Sequence, residues 1–193
     1  MRRLCLLAVL CLLGPAAHAQ TAWGLPQLMR SLAQIRTASA QFSERETSPI
    51  LSAPLISTGT LTYVAPSYLN KATTAPRQEN FTLDHGQVTL TSGGATHVFA
   101  LTQDSRIAGL VEGISGTLSG DLPGLQRIYH LTLTGSPVSW QLQLVPKDAS
   151  LARFIRIMVI TGSENRIAAI DTASADGSDS RMSIAAPQAT DAP

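Results

Sequence analysis

The 193-residue chain has only two cysteines, Cys5 and Cys11, and both fall within its first twenty residues. From residue 20 onward there is no thiol, which excludes disulfide staples, thiolate metal ligands and a cysteine nucleophile from that part. Aromatics are scarce, 5% against 44% hydrophobic residues, so the apolar mass is aliphatic. A sugar cleft lined by rings is poorly supported. Charge of one sign is lacking as well: the formal net charge is +1, which leaves no basic footprint for nucleic acid. Long hydrophobic runs are also missing. The one apolar stretch, Leu4 to Leu13, is about half the roughly twenty residues that a bilayer-crossing helix needs.

What that short stretch does have is flanks. Arg2 and Arg3 precede it, Gly14-Pro15 breaks it, and Ala17-His18-Ala19 gives a small-x-small pattern before Gln20. This is the layout of a secretory signal, and it predicts cleavage after Ala19 and removal of residues 1–19. Val9-Leu10 stands where a lipid-attachment cysteine wants a small neighbour, so Cys11 is read as part of the signal. Without Arg2 and Arg3, twelve basic residues face thirteen acidic ones, a balance of −1. The expected product is an exported, soluble chain long enough for one domain with a real core.

Leu25, Leu28, Met29, Leu32 and Ile35 form one apolar stripe at helical spacing, with Pro26 in the first turn. The period then changes to two. Ala38, Ala40 and Phe42 alternate with polar residues, and further strands are expected at Leu55 to Val64, Tyr68 to Thr74, Asn80 to Leu83, Val88 to Thr91 and Thr96 to Thr102. Ile107, Leu110, Val111, Ile114 and Leu118 return to helical spacing. Gly109, Gly113 and Gly116 lie inside this stretch, and each costs a helix roughly 1 kcal/mol relative to alanine. The reading is a marginal helix acting as a mobile lid with these glycines as its hinge. An irregular loop over a core is the alternative.

After a short helical turn through Gln126, strands are expected at Ile128 to Thr134, Trp140 to Val145, Phe154 to Thr161, Arg166 to Thr172 and Arg181 to Ala185. The connectors are rich in turn formers, as in an antiparallel meander. Residues 187–193 read as a disordered tail, and 20–186 as a single domain. The fold class is therefore mainly β with α. So many strands curl a sheet, and helices over its concave face leave room for a pocket.

Catalytic patterns are absent: no G-x-S-x-G elbow, phosphate loop, G-x-G-x-x-G or H-E-x-x-H. Asp84-His85-Gly86 reads as a turn, and His97 and His130 sit alone in strand patterns. Glu44 and Glu46 share a strand face without an aromatic cleft beside them. No spacing suggests a metal site.

The order of the remaining features resembles the LolA/LolB-type periplasmic lipoprotein carriers. Leu28 to Phe42 looks like their opening helix and Ala-x-Phe strand. Gly59-Thr60-Leu61-Thr62-Tyr63 with Pro66 and Leu69 is similar to their G-x-L-x-hydrophobic strand and following turn. Leu83-Asp84-His85-Gly86 with Val88 looks like their aspartate-glycine hairpin, and Trp140-x-Leu142-x-Leu144-x-Pro146 like their later L-x-P strand. The resemblance implies a curled antiparallel half-barrel of about eleven strands, LolA-like, with an N-terminal helix and a helical lid. It implies a non-enzymatic monomer without cofactor that shields the acyl chains of a lipoprotein or other lipid on its way to the outer membrane. An inner-membrane exporter would donate the cargo and an outer-membrane acceptor receive it.

Carried over by position, Leu61 and Tyr63 point into the hollow, Leu69 sits near its mouth, and Phe42 lies between helix and sheet. Ile107, Leu110, Val111, Ile114 and Leu118 form the lid's apolar face, and Leu131, Leu133, Trp140, Leu142 and Leu144 complete the expected lipid-binding wall. The family's latch arginine before the proline is replaced by Ala65, its usual glutamine by Glu44, and its aromatic pair around Leu69 and Lys71 is missing. The other readings are a periplasmic lipid sensor or accessory subunit of a lipid exporter, a lipid hydrolase using His85 or His130, and a structural β-protein whose hollow is filled by its own side chains.

Overall fold

The computed structural model describes residues 23–185, with backbone alone at Arg106. The expected signal and tail lie outside the described residues. Eleven strands form one antiparallel sheet in the order β6-β5-β4-β3-β2-β1-β11-β10-β9-β8-β7. They are β1 (Thr37–Thr47), β2 (Leu55–Val64), β3 (Tyr68–Ala75), β4 (Glu79–Asp84), β5 (Gln87–Ser92), β6 (Ala95–Ala100), β7 (Tyr129–Ser136), β8 (Ser139–Pro146), β9 (Ile155–Ser163), β10 (Arg166–Ser174) and β11 (Asp179–Ile184). Every pairing but one joins sequence neighbours. The exception, β1 with β11, welds two meanders into a single sheet.

Among the described residues four α-helices accompany it: α1 (Leu25–Leu32), α2 (Ser105–Ser119), α3 (Leu122–Ile128) and α4 (Ala149–Ala152). The period-two reading placed all eleven strands, with bounds that shift locally. β1 continues through Glu44-Arg45-Glu46 to Thr47 because those residues pair with both β2 and β11. The strand expected to reach Thr102 stops at Ala100, where the chain enters a 3₁₀ turn at Leu101–Gln103. Helix α1 stops at Leu32, short of Ile35. The one-turn α4 was not expected. Asp148 caps it by accepting from the Ser150 amide at 2.7 Å.

Helix α2 is continuous over fifteen residues in spite of its glycines. Packing explains it. A Cβ on Gly109 would lie 2.2 Å from Leu151 Cδ1, one on Gly113 3.1 Å from Met158 Cε, and one on Gly116 3.0 Å from Leu125 Cδ2. The glycines thus let the α2 backbone settle onto α3, α4 and β9. Tyr129 fixes the approach, its buried hydroxyl donating to the Gly109 carbonyl at 2.6 Å. Burial and the neighbouring Glu112 carboxylate both push that phenol well above its ordinary range. The three residues expected to be a hinge therefore stand in a close-packed seam.

Beneath this seam lies the main core. Leu142, Leu144, Met158, Ile160 and Tyr129 are fully buried, with Trp140 2% exposed. Leu28, Met29 and Leu32 of α1, Leu125 and Leu151 join the same cluster. A second, smaller cluster (Leu83, Val88, Leu101 and Val111) anchors the N-terminal part of α2 to β4 and β5.

Candidate functional site

The other side of α2 faces an empty space. At 100° per residue, Ile107, Leu110, Val111, Ile114 and Leu118 lie about 150° around the helix from the glycine seam. All five line a cavity of about 700 Å³ between α2 and the sheet. Its floor is read from the strand register. Leu61 pairs with Ala40 on one side and Lys71 on the other, Lys71 with Phe81, and Phe81 with Leu90. Tyr63 pairs with Ala38 and Leu69. Period-two alternation puts each of these on the concave face, and all line the cavity. The second meander contributes Ile170, Met182 and Ile184.

Of the residues expected to touch a lipid, Leu61, Tyr63, Leu69, Ile107, Leu110, Val111, Ile114 and Leu118 line the cavity. The other six do not. Phe42, Trp140, Leu142 and Leu144 are buried in the main core, and Leu131 and Leu133 pack against it. Phe42 lies on the same face as Ala40 and Glu44 with its ring over Gly59, its cross-strand partner, where a Cβ would lie 2.9 Å from the Phe42 ring and 2.0 Å from the Ala72 carbonyl oxygen. The sequence reading missed Ile170, Met182 and Ile184. Their alternation along β10 and β11 was the available signal. The position of the family latch, Ala65, donates its amide to the Arg36 carbonyl at 2.8 Å.

The cavity is polarised along the strands. Near α1 the side chains that alternation turns inward (Ala38, Leu69, Ile167 and Ile184) are apolar except for Tyr63, whose hydroxyl is buried and finds no hydrogen-bond partner among the described residues, while Arg166, paired with Ser163, falls on the other face. Burial raises that phenol's pKa, an effect partly offset by Arg36. At the far end of the strands stands a polar group built around Glu44. Lys71 pairs with one oxygen of Glu44, and Ser180 Oγ donates to the other at 2.6 Å. The Lys71 ammonium also lies 5.2 Å from the Phe42 ring centroid, within cation–π range. Glu46, Glu79 and Asp179 line the same end.

Nothing in this arrangement resembles a catalytic constellation. His85 is a turn residue at φ 46° in the β4–β5 hairpin, 2.5 Å from its neighbour Asp84, and both are exposed. Among the described residues no group of three or more metal-ligating side chains converges, and no helix is long and apolar enough to cross a membrane. What the site can do is take apolar guests. Cavities of about 300–1,000 Å³ with mostly apolar walls and a few polar groups are typical of small-molecule sites.

Residues 16–193 match the family described as "Outer membrane lipoprotein carrier protein LolA-like". No curated protein matches. Solved structures with a similar course include the LolA superfamily protein NE2245 from Nitrosomonas europaea, at 12% identity over 89% of this chain and 96% of that one, TM-score 0.48. Another is the lipoprotein LppX from Mycobacterium tuberculosis, at 13% identity over 83% and 93%, TM-score 0.43. The MucA/MucB complex from Pseudomonas aeruginosa matches at 14% identity over 86% and 59%, TM-score 0.46.

Proposed function

The chain belongs to the LolA-like family of outer membrane lipoprotein carrier proteins, and on that premise we propose that it is a non-enzymatic periplasmic carrier that shelters the acyl chains of a lipoprotein or other lipid. The observation that carries this reading is the cavity: aliphatic side chains from α2 and from both meanders surround about 700 Å³ that the protein does not fill itself. Each methylene moved there from water contributes about 0.8 kcal/mol, so a sixteen-carbon chain gains on the order of 10 kcal/mol before ordering costs. Release then needs a partner or a change of state, which suits a carrier handing cargo from an inner-membrane donor to an outer-membrane acceptor. The signal-like residues 1–19, with cleavage after Ala19, fit delivery to the periplasm.

A lipid sensor would use the same chamber, and the accessory-subunit reading stands second because no observation singles it out. Native mass spectrometry of the protein taken from its own periplasm tests the proposal. A co-purifying acylated species of defined mass is the expected result. Consistently empty protein, with no acyl probe binding afterwards, contradicts it.

A further inference from the structure

The uneven wall of the cavity says which way a guest lies and which head group it carries. The register places the two ends of the chamber at opposite ends of the strands. On β10, Ile167 pairs with Gly162 at one end and Ser174 with Ile155 at the other. Asn165 and Arg166 stand at the first end, beside the apolar part near α1, while Thr172 and Ser174 stand at the second. On β11, Ser180 pairs with Thr172 and with Glu46. On β3 and β4, Thr73 pairs with Glu79. Glu44, Glu46, Glu79, Asp179 and Lys71 therefore share the second end.

On the concave face there, three carboxylates (Glu44, Glu46 and Glu79) meet one ammonium, already taken by Glu44, while Asp179, paired with Thr47 and Ala173, falls on the opposite face by alternation. Glu44 itself is fully engaged, one oxygen by Lys71 and the other by Ser180. Glu79 accepts from Ser92 Oγ at 2.9 Å. Thr73, Thr172, Ser174 and Ser178 supply hydroxyls around them. An anionic head group finds excess negative charge and no uncommitted cation among the described residues at this end. A neutral head with ester, amide or hydroxyl groups finds donors and acceptors. The apolar chamber supplies the binding, and the carboxylates set which head the open end accepts.

Resting on the carrier reading above, we propose that the guest is an acyl amphiphile with a neutral or cationic head, its chain under α2 and its head beside Glu44, Glu79 and Ser180. Fatty acids and phosphate-headed lipids are selected against by like charge. A net of two negative charges at roughly 8 Å in water corresponds to about a fivefold preference for a neutral over an anionic head at low ionic strength, one that salt screens.

The test is displacement of a fluorescent acyl probe from the purified mature protein by three ligands with the same twelve-carbon chain: monolauroylglycerol, dodecylamine and dodecanoate. At pH 7.5 and low salt, monolauroylglycerol is expected to bind about fivefold tighter than dodecanoate, and dodecylamine tighter still. The combined variant Glu46→Gln, Glu79→Gln removes the two exposed carboxylates of that face without touching the core. In it, the difference is expected to fall to within about twofold, as it should in high salt. Dodecanoate binding as tightly as the neutral ligand in the unaltered protein, or a preference that survives in the variant, overturns the head-group assignment while leaving the carrier reading intact. Failure of all three ligands and of the probe to bind overturns both.

Discussion

The two halves of the concave face are made of the same residues and end differently. Along β8 and β9, Leu142, Leu144, Met158 and Ile160 are fully buried under α1, α2, α3 and α4. Along β1 to β4 and β10 to β11, Leu61, Leu69, Ile170 and Met182 border open space. Helix α2 divides them. Its glycine side lies against the first half with no room for a Cβ, and its Ile, Leu and Val side stands over the second. The lesson is that a hollow is kept open by how tightly its neighbour is closed. A helix pinned at Gly109, Gly113 and Gly116 cannot settle into the trough beside it.

Truncation should separate the halves most sharply. Leu144→Ala removes packing from the closed half and is expected to cost about 2–5 kcal/mol in urea unfolding. Leu61→Ala removes atoms that already face a void and is expected to cost well under half as much. Equal losses would erase the distinction. The seam comes next. Gly109→Val forces branched carbons against Leu151, and overpacking of this kind costs about 1–3 kcal/mol. Gly113→Ala meets the flexible end of Met158 at 3.1 Å and the Tyr129 hydroxyl at an ordinary contact distance of 3.4 Å, so its gain of about 1 kcal/mol in helix propensity should nearly offset the crowding. The seam reading predicts unchanged exchange of a bound acyl probe in Gly113→Ala; if exchange slows, the glycine acts as a hinge after all.

The smallest effect concerns Glu112 on α2. Burial raises its pKa, against the opposing pull of Arg127. A carboxyl whose folded pKa exceeds its unfolded one binds more protons when folded. Its contribution therefore improves as pH falls from the folded pKa toward the ordinary carboxylate value, and is lost as pH rises through that window. Glu112→Gln should raise the melting temperature slightly at pH 7 and flatten this part of the pH–stability curve. A drop at pH 7 would mean that the charge is stabilising.

Much of the fold was legible in the sequence. Alternation at Ala38-Ala40-Phe42 or Trp140-Leu142-Leu144 reports a face, and Asp84-His85-Gly86 or Gly162 to Asn165 reports a turn, so the eleven strands follow from local pattern. The stripes of α1 and α2 follow from helical spacing. The division of labour within the apolar set did not follow. Leu61 and Leu142 look alike in sequence, each an inward residue of a half-polar strand. One lines a cavity and the other is sealed because of what the opposite layer places above it, and alternation carries no record of the opposite layer. The glycines of α2 misled for a related reason. Read locally they weaken a helix. Their use becomes visible only with Leu151, Met158 and Leu125, which come from three other elements. The polar end was hidden because Glu44, Lys71 and Ser180 lie far apart in the chain and meet only through the β1–β11 and β2–β3 pairings.

The central claim is that the open half of the trough is held vacant for an acyl chain. Ala40 lines that space opposite Leu61 and lies outside the main core, so Ala40→Trp fills the chamber and leaves the closed half untouched. The decisive measurement is an equilibrium titration of a fluorescent long-chain acyl probe into the unaltered protein and into Ala40→Trp, with urea unfolding of both. The account predicts saturable binding that weakens more than about tenfold in the variant while stability changes by less than about 1 kcal/mol. Equal binding by the two proteins, or none by either, would contradict it.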